Sequence, residues 1–283
     1  MFSKKSLTSG GKKSGHKLDM IHSIYRSPQE LQKLRYMGVR DLICTTILPI
    51  TPTSAQTYHD FFNWIAEKEV ERCKNLNLRL HPVLGIPPSP ALQDRKIVDS
   101  ALVHLEEFIR TKKVFGIGEI GIGSGTKMEF MAFKSQLALA RKFNLPVIVQ
   151  SPESDKVAQV SLILKELKKS KVERAIFDHA DQDVLKLVLR DPSSNIKLGL
   201  SVGRGSDVFS PRQALKIYKA FSHPQRLILN SGLGLNEMSV YGLHETILLF
   251  EQQNIRDDII QGLIYENYLD IFPEISRDLQ ITK

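Results

Sequence analysis

Short runs of aliphatic and β-branched residues recur along the chain at about 17–22, 39–46, 78–85, 114–120, 145–150, 174–179, 196–201 and 226–231. Between them lie longer stretches, roughly 28–37, 57–75, 91–111, 126–143, 154–169, 181–190, 210–222 and 236–252, where apolar positions return every three or four residues. The short runs read as buried strands and the longer stretches as helices. Strands that alternate with helices require crossover connections, which make the strands parallel. Eight such units in succession predict an α/β protein with a (β/α)8 TIM barrel.

Local signals support individual units. Thr126 and Glu129 fit a capping box, in which hydroxyl and carboxylate satisfy free amides at a helix start, and Phe130, Phe133, Leu137 and Ala140 follow at helical spacing. Pro28 and Pro211 suit the first turns of two other helices. The run Pro87-Pro88-Ser89-Pro90 cannot continue a strand and predicts a rigid loop at the rim where strands end.

Composition narrows the class. With 42% hydrophobic and 25% charged residues in 283, the chain can bury a large core, and no apolar run approaches the ~20 residues of a membrane span. Two cysteines, Cys44 and Cys73, exclude a disulfide framework and point to a cytoplasmic location. Of the net charge of +8, five units come from Lys4, Lys5, Lys12, Lys13 and Lys17, leaving +3 for the remainder. Residues 1–16 are too polar to bury anything and are expected to be a disordered basic tail, with 17–283 as a single barrel domain. A second basic group, Lys165, Lys168, Lys169, Lys171 and Arg174, is interrupted by Glu166 and Glu173 and reads as a solvated face. Nucleic acid is therefore not an expected partner beyond weak contact with the tail; the oligomeric state is not legible.

In a parallel barrel the polar residues at strand ends face the functional mouth. They are Asp19, His22 or Ser23, Thr45 or Thr46, Glu119, Gln150, Asp178 or His179, Ser201, and Asn230 or Ser231. Glu119 stands out because it is embedded in Gly116-Ile-Gly-Glu-Ile-Gly121. A carboxylate so poorly solvated needs a cation, a donor or a proton.

The segments Gly116–Gly121, Phe133–Ala140 and Asn144–Pro152, with Ile176-Phe-Asp-His179 and Arg226–Ser231 in order behind them, resemble the TatD-related metal-dependent hydrolases of the amidohydrolase superfamily. The resemblance runs from about residue 18 to 272. It implies phosphodiester or related ester hydrolysis with two divalent metals, held by a His-x-His pair on the first strand, a Glu on the fourth, histidines on the fifth and sixth, and an Asp on the eighth. Metals so held acidify a bridging water.

Carried over residue by residue, the ligand set is reduced. Ile21 and Ser23 align with the first-strand histidines, and His22, one residue out of register, is expected to point away. Glu119 and His179 match. Gln150 replaces the fifth-strand histidine, and Gly234 aligns with the eighth-strand aspartate. Two of six positions survive, fewer than the three protein ligands of a typical catalytic zinc.

Two readings follow. In the leading one, a degenerate barrel with lost or altered hydrolase activity binds a ligand or partner in an inherited pocket formed by Asp19, Gln150, Asp178, Asn230 and Ser231. In the other, the chain is an active phosphodiester or ester hydrolase using one divalent ion, Zn, Mn or Mg, on Glu119 and His179 with Gln150 or His81. A small molecule or phosphoester is the ligand expected in either case.

Overall fold

The computed structural model describes residues 16–152, 155–189, 196–205, 208–235 and 239–276. Eight strands, β1 (Lys17–Ile21), β2 (Val39–Thr45), β3 (Arg79–Leu84), β4 (Gly116–Ile120), β5 (Val147–Gln150), β6 (Ala175–Asp178), β7 (Ile196–Ser201) and β8 (Leu227–Asn230), lie in one parallel sheet in chain order. Helices fill the intervals: α1 (Pro28–Tyr36), α2 (Ala55–Asn63), α3 (Val70–Asn75), α4 (Arg95–Thr111), α5 (Lys127–Phe143), α6 (Lys156–Ser170), α7 (Gln182–Leu189), α8 (Pro211–Ala220) and α9 (Gly242–Gln252). This is the TIM barrel that the alternation predicts. The expected disorder of residues 1–16 falls, apart from His16, outside the described residues.

The strand faces sort by packing. Leu18, Met20, Ile43, Val83, Ile148, Ile176 and Ile228 form an inner cluster inside the barrel. Their neighbours Ile21, Leu42, Cys44, Val149, Phe177 and Leu229 pack outward under the helices. Period-two alternation thus buries both faces of every strand.

Between β8 and β1 the barrel is closed by side chains and loop backbone. The Asp19 carboxylate accepts from the Ser231 amide and hydroxyl, both at 2.7 Å, and the His22 amide donates to the Leu233 carbonyl at 2.7 Å. Asp19 and Ser231 are almost wholly sealed from solvent.

Three helix starts use the capping box: Ser27 with Glu30, Thr126 with Glu129, and Ser210 with Gln213, with Pro28 and Pro211 in the first turns. The predicted helix at 57–75 is broken by a π-helical segment, Trp64–Glu69, between α2 and α3. The helix predicted from residue 91 starts at Arg95, where Asp94 supplies the N-cap, because the proline run holds the preceding chain extended.

Beyond the predicted elements, α10 (Asp257–Gln261), a π-helical segment (Gly262–Glu266) and α11 (Asn267–Leu269) pass beneath the barrel. Tyr268, Ile271, Phe272 and Ile275 join the inner cluster and plug the N-terminal end of the strands. Each such fully buried side chain contributes about 2 kcal/mol. Tyr268 also donates to the Leu229 carbonyl at 3.1 Å. Among the described residues, no helix is long and apolar enough to cross a membrane.

Candidate metal centre

The glycines around Glu119 serve strand packing. A Cβ on Gly118 would stand 2.8 Å from Cβ of Ile148, so β4 approaches β5 this closely only with glycine there. Glu119, next in the chain, is 2% exposed and makes no hydrogen bond among the described residues. Two imidazoles face it: Nε2 of His22 and Nε2 of His179 each lie 3.9 Å from Oε1. Burial raises the Glu119 carboxyl to a pKa of about 7, with His179 acting in the opposite sense and Asp178 adding to the rise.

His22 does not point away. The inward positions of β1 are Leu18 and Met20, and Ile21 packs outward, so the residue after the strand turns in again. The aligned register placed the inward face on Ile21 and Ser23, whereas packing places it on Met20 and His22. Nδ1 of His22 faces Oγ1 of Thr45 at 3.1 Å and the Thr45 carbonyl at 3.3 Å. Because a carbonyl only accepts, Nδ1 carries the proton and Nε2 presents its lone pair to Glu119. Burial pushes the His22 pKa down to about 4, against the Thr45 carbonyl, so the ring is neutral at pH 7.

Asp178 ends β6, and His179 follows with φ of 51°, a left-handed backbone that costs a side-chain-bearing residue about 1 kcal/mol. Glu119, Asp178 and His179 each offer a ligand atom within 4.8 Å of the others. Asn230 Nδ2 donates to Asp178 Oδ1 at 2.9 Å, and Oδ2 of the same carboxylate lies 3.8 Å from His179 Nε2. On the other side of the strand ends, Ser201 Oγ donates to Asn230 Oδ1 and meets His179 Nδ1, both at 3.0 Å. A Cβ on Gly199 would fall 2.2 Å from Asp178 Oδ1, so the carboxylate occupies the space that glycine leaves.

The other residues expected at the mouth separate. Gln150 is half-buried at the end of β5 and pairs in register with Asp178. Asp19 and Ser231, expected to line a pocket, instead form the clasp between β1 and β8; burial raises the Asp19 carboxyl to about 6 despite the Ser231 bonds. Asn230 is fully buried and acts by orienting Asp178 and Ser201. His81, expected as an extra ligand, lies toward the opposite end, because it stands only two residues into β3. Its Nε2 is bound to Asp41 at 2.7 Å, in a group with Arg79 and His16. Of the glycines after β8, a Cβ on Gly232 would stand 3.4 Å from Cε1 of His179 and one on Gly234 would stand 3.0 Å from Cδ2 of His22. Both border the cluster, and neither supplies a carboxylate.

Rim loops are tied down by buried polar side chains that strand reading did not reveal. Gln136 donates to the Ile86 carbonyl and accepts from its amide, holding the chain that leaves β3. Glu129, beyond its capping role, accepts from the Ser124 amide. Two surface cavities, about 440 Å³ beside Arg204 and Glu245 and about 320 Å³ beside Phe61 and Trp64, include none of the cluster residues.

Glu119, Asp178 and His179 therefore converge as two carboxyl groups and an imidazole, and His22 adds a second imidazole beside Glu119. Together they make a nitrogen and oxygen donor set suited to zinc or a similar divalent ion. The residues present fit a metal.

Comparison with known proteins shows the family and the fold. A family model described as TatD related DNase matches residues 17–203. An uncharacterized metal-dependent hydrolase of Methanocaldococcus jannaschii is 26% identical over 248 residues, covering 87% of this chain and 95% of its own. Among solved structures, a TatD-like protein from Archaeoglobus fulgidus superposes with a TM-score of 0.67 at 24% identity, covering 87% of this chain and 99% of that one. The phosphotriesterase homology protein of Escherichia coli, solved with phosphate in its active site, gives a TM-score of 0.67 at 13% identity, covering 92% and 99%.

Proposed function

The chain belongs to the TatD-related DNase family, and from that premise we propose that it is a hydrolase of phosphoesters or related esters that works with one divalent ion held by Glu119, Asp178, His179 and His22. The observation that carries this reading is the convergence of both Nε2 atoms, each 3.9 Å away, on Oε1 of a buried Glu119 that has no hydrogen bond among the described residues. Four donors exceed the three that a catalytic zinc generally keeps. Gln150, beside Asp178 in register, is a further neutral donor at the rim.

A divalent ion bound there would acidify a coordinated water and polarise the scissile group. The chain supplies the rest. Glu119 and Asp178 provide negative charge in a desolvated site, where electrostatic interactions are stronger than in water. Asn230 ties down one Asp178 oxygen and turns the other toward the centre. A phosphoryl or carboxylic ester of a small molecule suits this site, and the phosphate held by the E. coli fold relative supports the same class. Both cysteines are buried and unbridged, which supports a cytoplasmic setting.

The test is metal analysis of purified protein combined with hydrolysis of bis(p-nitrophenyl) phosphate with and without EDTA. One equivalent of metal and EDTA-sensitive turnover, both lost in Glu119→Gln, support the proposal. A second reading is favoured by Met20, which fills an inward β1 position with a thioether sealed in the core, and by the two glycines after β8. On that reading the barrel binds a ligand without cleaving it. Metal binding or ligand binding without any turnover would select it.

A further inference from the structure

We infer that Ser201 and Asn230 are positioning residues that hold His179 as its Nδ1–H tautomer, so that its Nε2 lone pair is turned into the cluster. The inference rests on the proposed metal site only for its consequence, since the tautomer follows from the hydrogen bonds alone.

The chain of bonds has one consistent direction. Asp178, as a carboxylate, only accepts, so the group facing it at 2.9 Å is the amide nitrogen of Asn230. That fixes Oδ1 of Asn230 toward Ser201 Oγ, which has one proton and gives it to Oδ1 at 3.0 Å. The hydroxyl then has only lone pairs left for Nδ1 of His179, also at 3.0 Å, so Nδ1 must be the donor. Nε2 is left as the basic nitrogen, 3.9 Å from Glu119 and 3.8 Å from Asp178. The wire begins and ends in the cluster: the carboxylate that sets the direction is itself a neighbour of the nitrogen that is set. Buried Asn230 and Ser201 on β8 and β7 thereby couple the orientation of two candidate ligands at the end of β6, Asp178 and the His179 that follows it. Partners of this kind, which orient a ligating imidazole through its other nitrogen, typically contribute 10- to 100-fold in metal affinity.

The test reads the tautomer and the affinity separately, on the full chain. Imidazole 15N–1H correlation spectra at pH 8, before and after one equivalent of Zn2+, report which nitrogen of His179 is protonated, and a Zn2+ titration reports the dissociation constant. Wild type is expected to show His179 with the proton on Nδ1. Ser201→Ala should shift the population toward Nε2–H and weaken Zn2+ binding by about 10- to 100-fold, whereas Ser201→Thr, which keeps the hydroxyl, should restore both. A wild-type His179 protonated on Nε2 overturns the inference, and so does an unchanged tautomer in a folded Ser201→Ala. If Ser201→Ala does not fold, the wild-type spectrum decides alone. A wild type that shows the Nδ1–H tautomer yet binds no Zn2+ supports this inference and overturns the proposed function.

Discussion

His22 presents Nε2 to Glu119 Oε1 at 3.9 Å, the same separation that His179 keeps from the same oxygen. This contact puts His22 beside the Glu119, Asp178 and His179 group. His22→Ala is expected to weaken divalent-metal affinity at least tenfold while leaving thermal stability of the metal-free protein within about 2 kcal/mol. Calorimetric titration with Zn2+ and a thermal melt check the two halves.

Glycine 199 leaves the room that Asp178 occupies. Gly199→Ala would put a methyl 2.2 Å from Asp178 Oδ1 and 3.2 Å from Asn230 Nδ2, so the carboxylate must move and its bond to Asn230 must break. The expected cost is about 1 to 3 kcal/mol of overpacking together with loss of metal binding. A melt and a metal analysis of the variant check it; a fully loaded, fully stable variant would contradict the geometry.

The barrel, its eight strands and most helix starts are legible in the sequence because they rest on local rules: alternation, capping boxes and prolines. The site is legible only in part. Glu119 announces itself through its glycine frame and His179 through its place after a strand. The role of His22 depends on which face of β1 turns inward, and that is set by Leu18 and Met20 packing inside the barrel, a tertiary fact that a one-residue alignment offset hides. Asp19 and Ser231 look like mouth residues from strand ends alone, yet the barrel must close somewhere, and they close it. The plug of Tyr268 and Phe272 escapes the alternation because no strand follows it among the described residues.

Asp41 is fully buried and accepts from Arg79, His81 and His16. Burial alone would raise its carboxyl, and these three partners outweigh that and hold it far below its ordinary value of 3.8. A depressed folded pKa means the unfolded chain takes up the proton first, so the contribution is complete well above pH 3.8 and is lost as the pH falls below it. Asp41→Asn should cost about 3 to 5 kcal/mol at pH 7, as for other broken buried pairs, and the deficit should shrink in acid. Urea melts from pH 7 to 3 measure it.

The opposite sign holds for Glu119. Its folded pKa, about 7, lies above the ordinary value of 4.5, so between those values the folded protein holds a proton that the unfolded chain has released. Stability of the metal-free protein should therefore fall as the pH rises from about 4.5 to 7, and Asp19, raised to about 6, adds to the fall. Glu119→Gln should flatten part of this slope. Metal affinity should run the other way, dropping by up to about tenfold per unit below pH 7 as protons compete for the carboxylate. Melts of EDTA-treated protein across this range, with and without Zn2+, test both slopes.

The most direct test of the account is a stoichiometric titration of metal-free protein with Zn2+ at pH 8, in wild type and in Glu119→Gln. The account predicts one tightly bound ion per chain in wild type and none in the variant. No bound ion in wild type, two ions, or one ion that survives Glu119→Gln would contradict it.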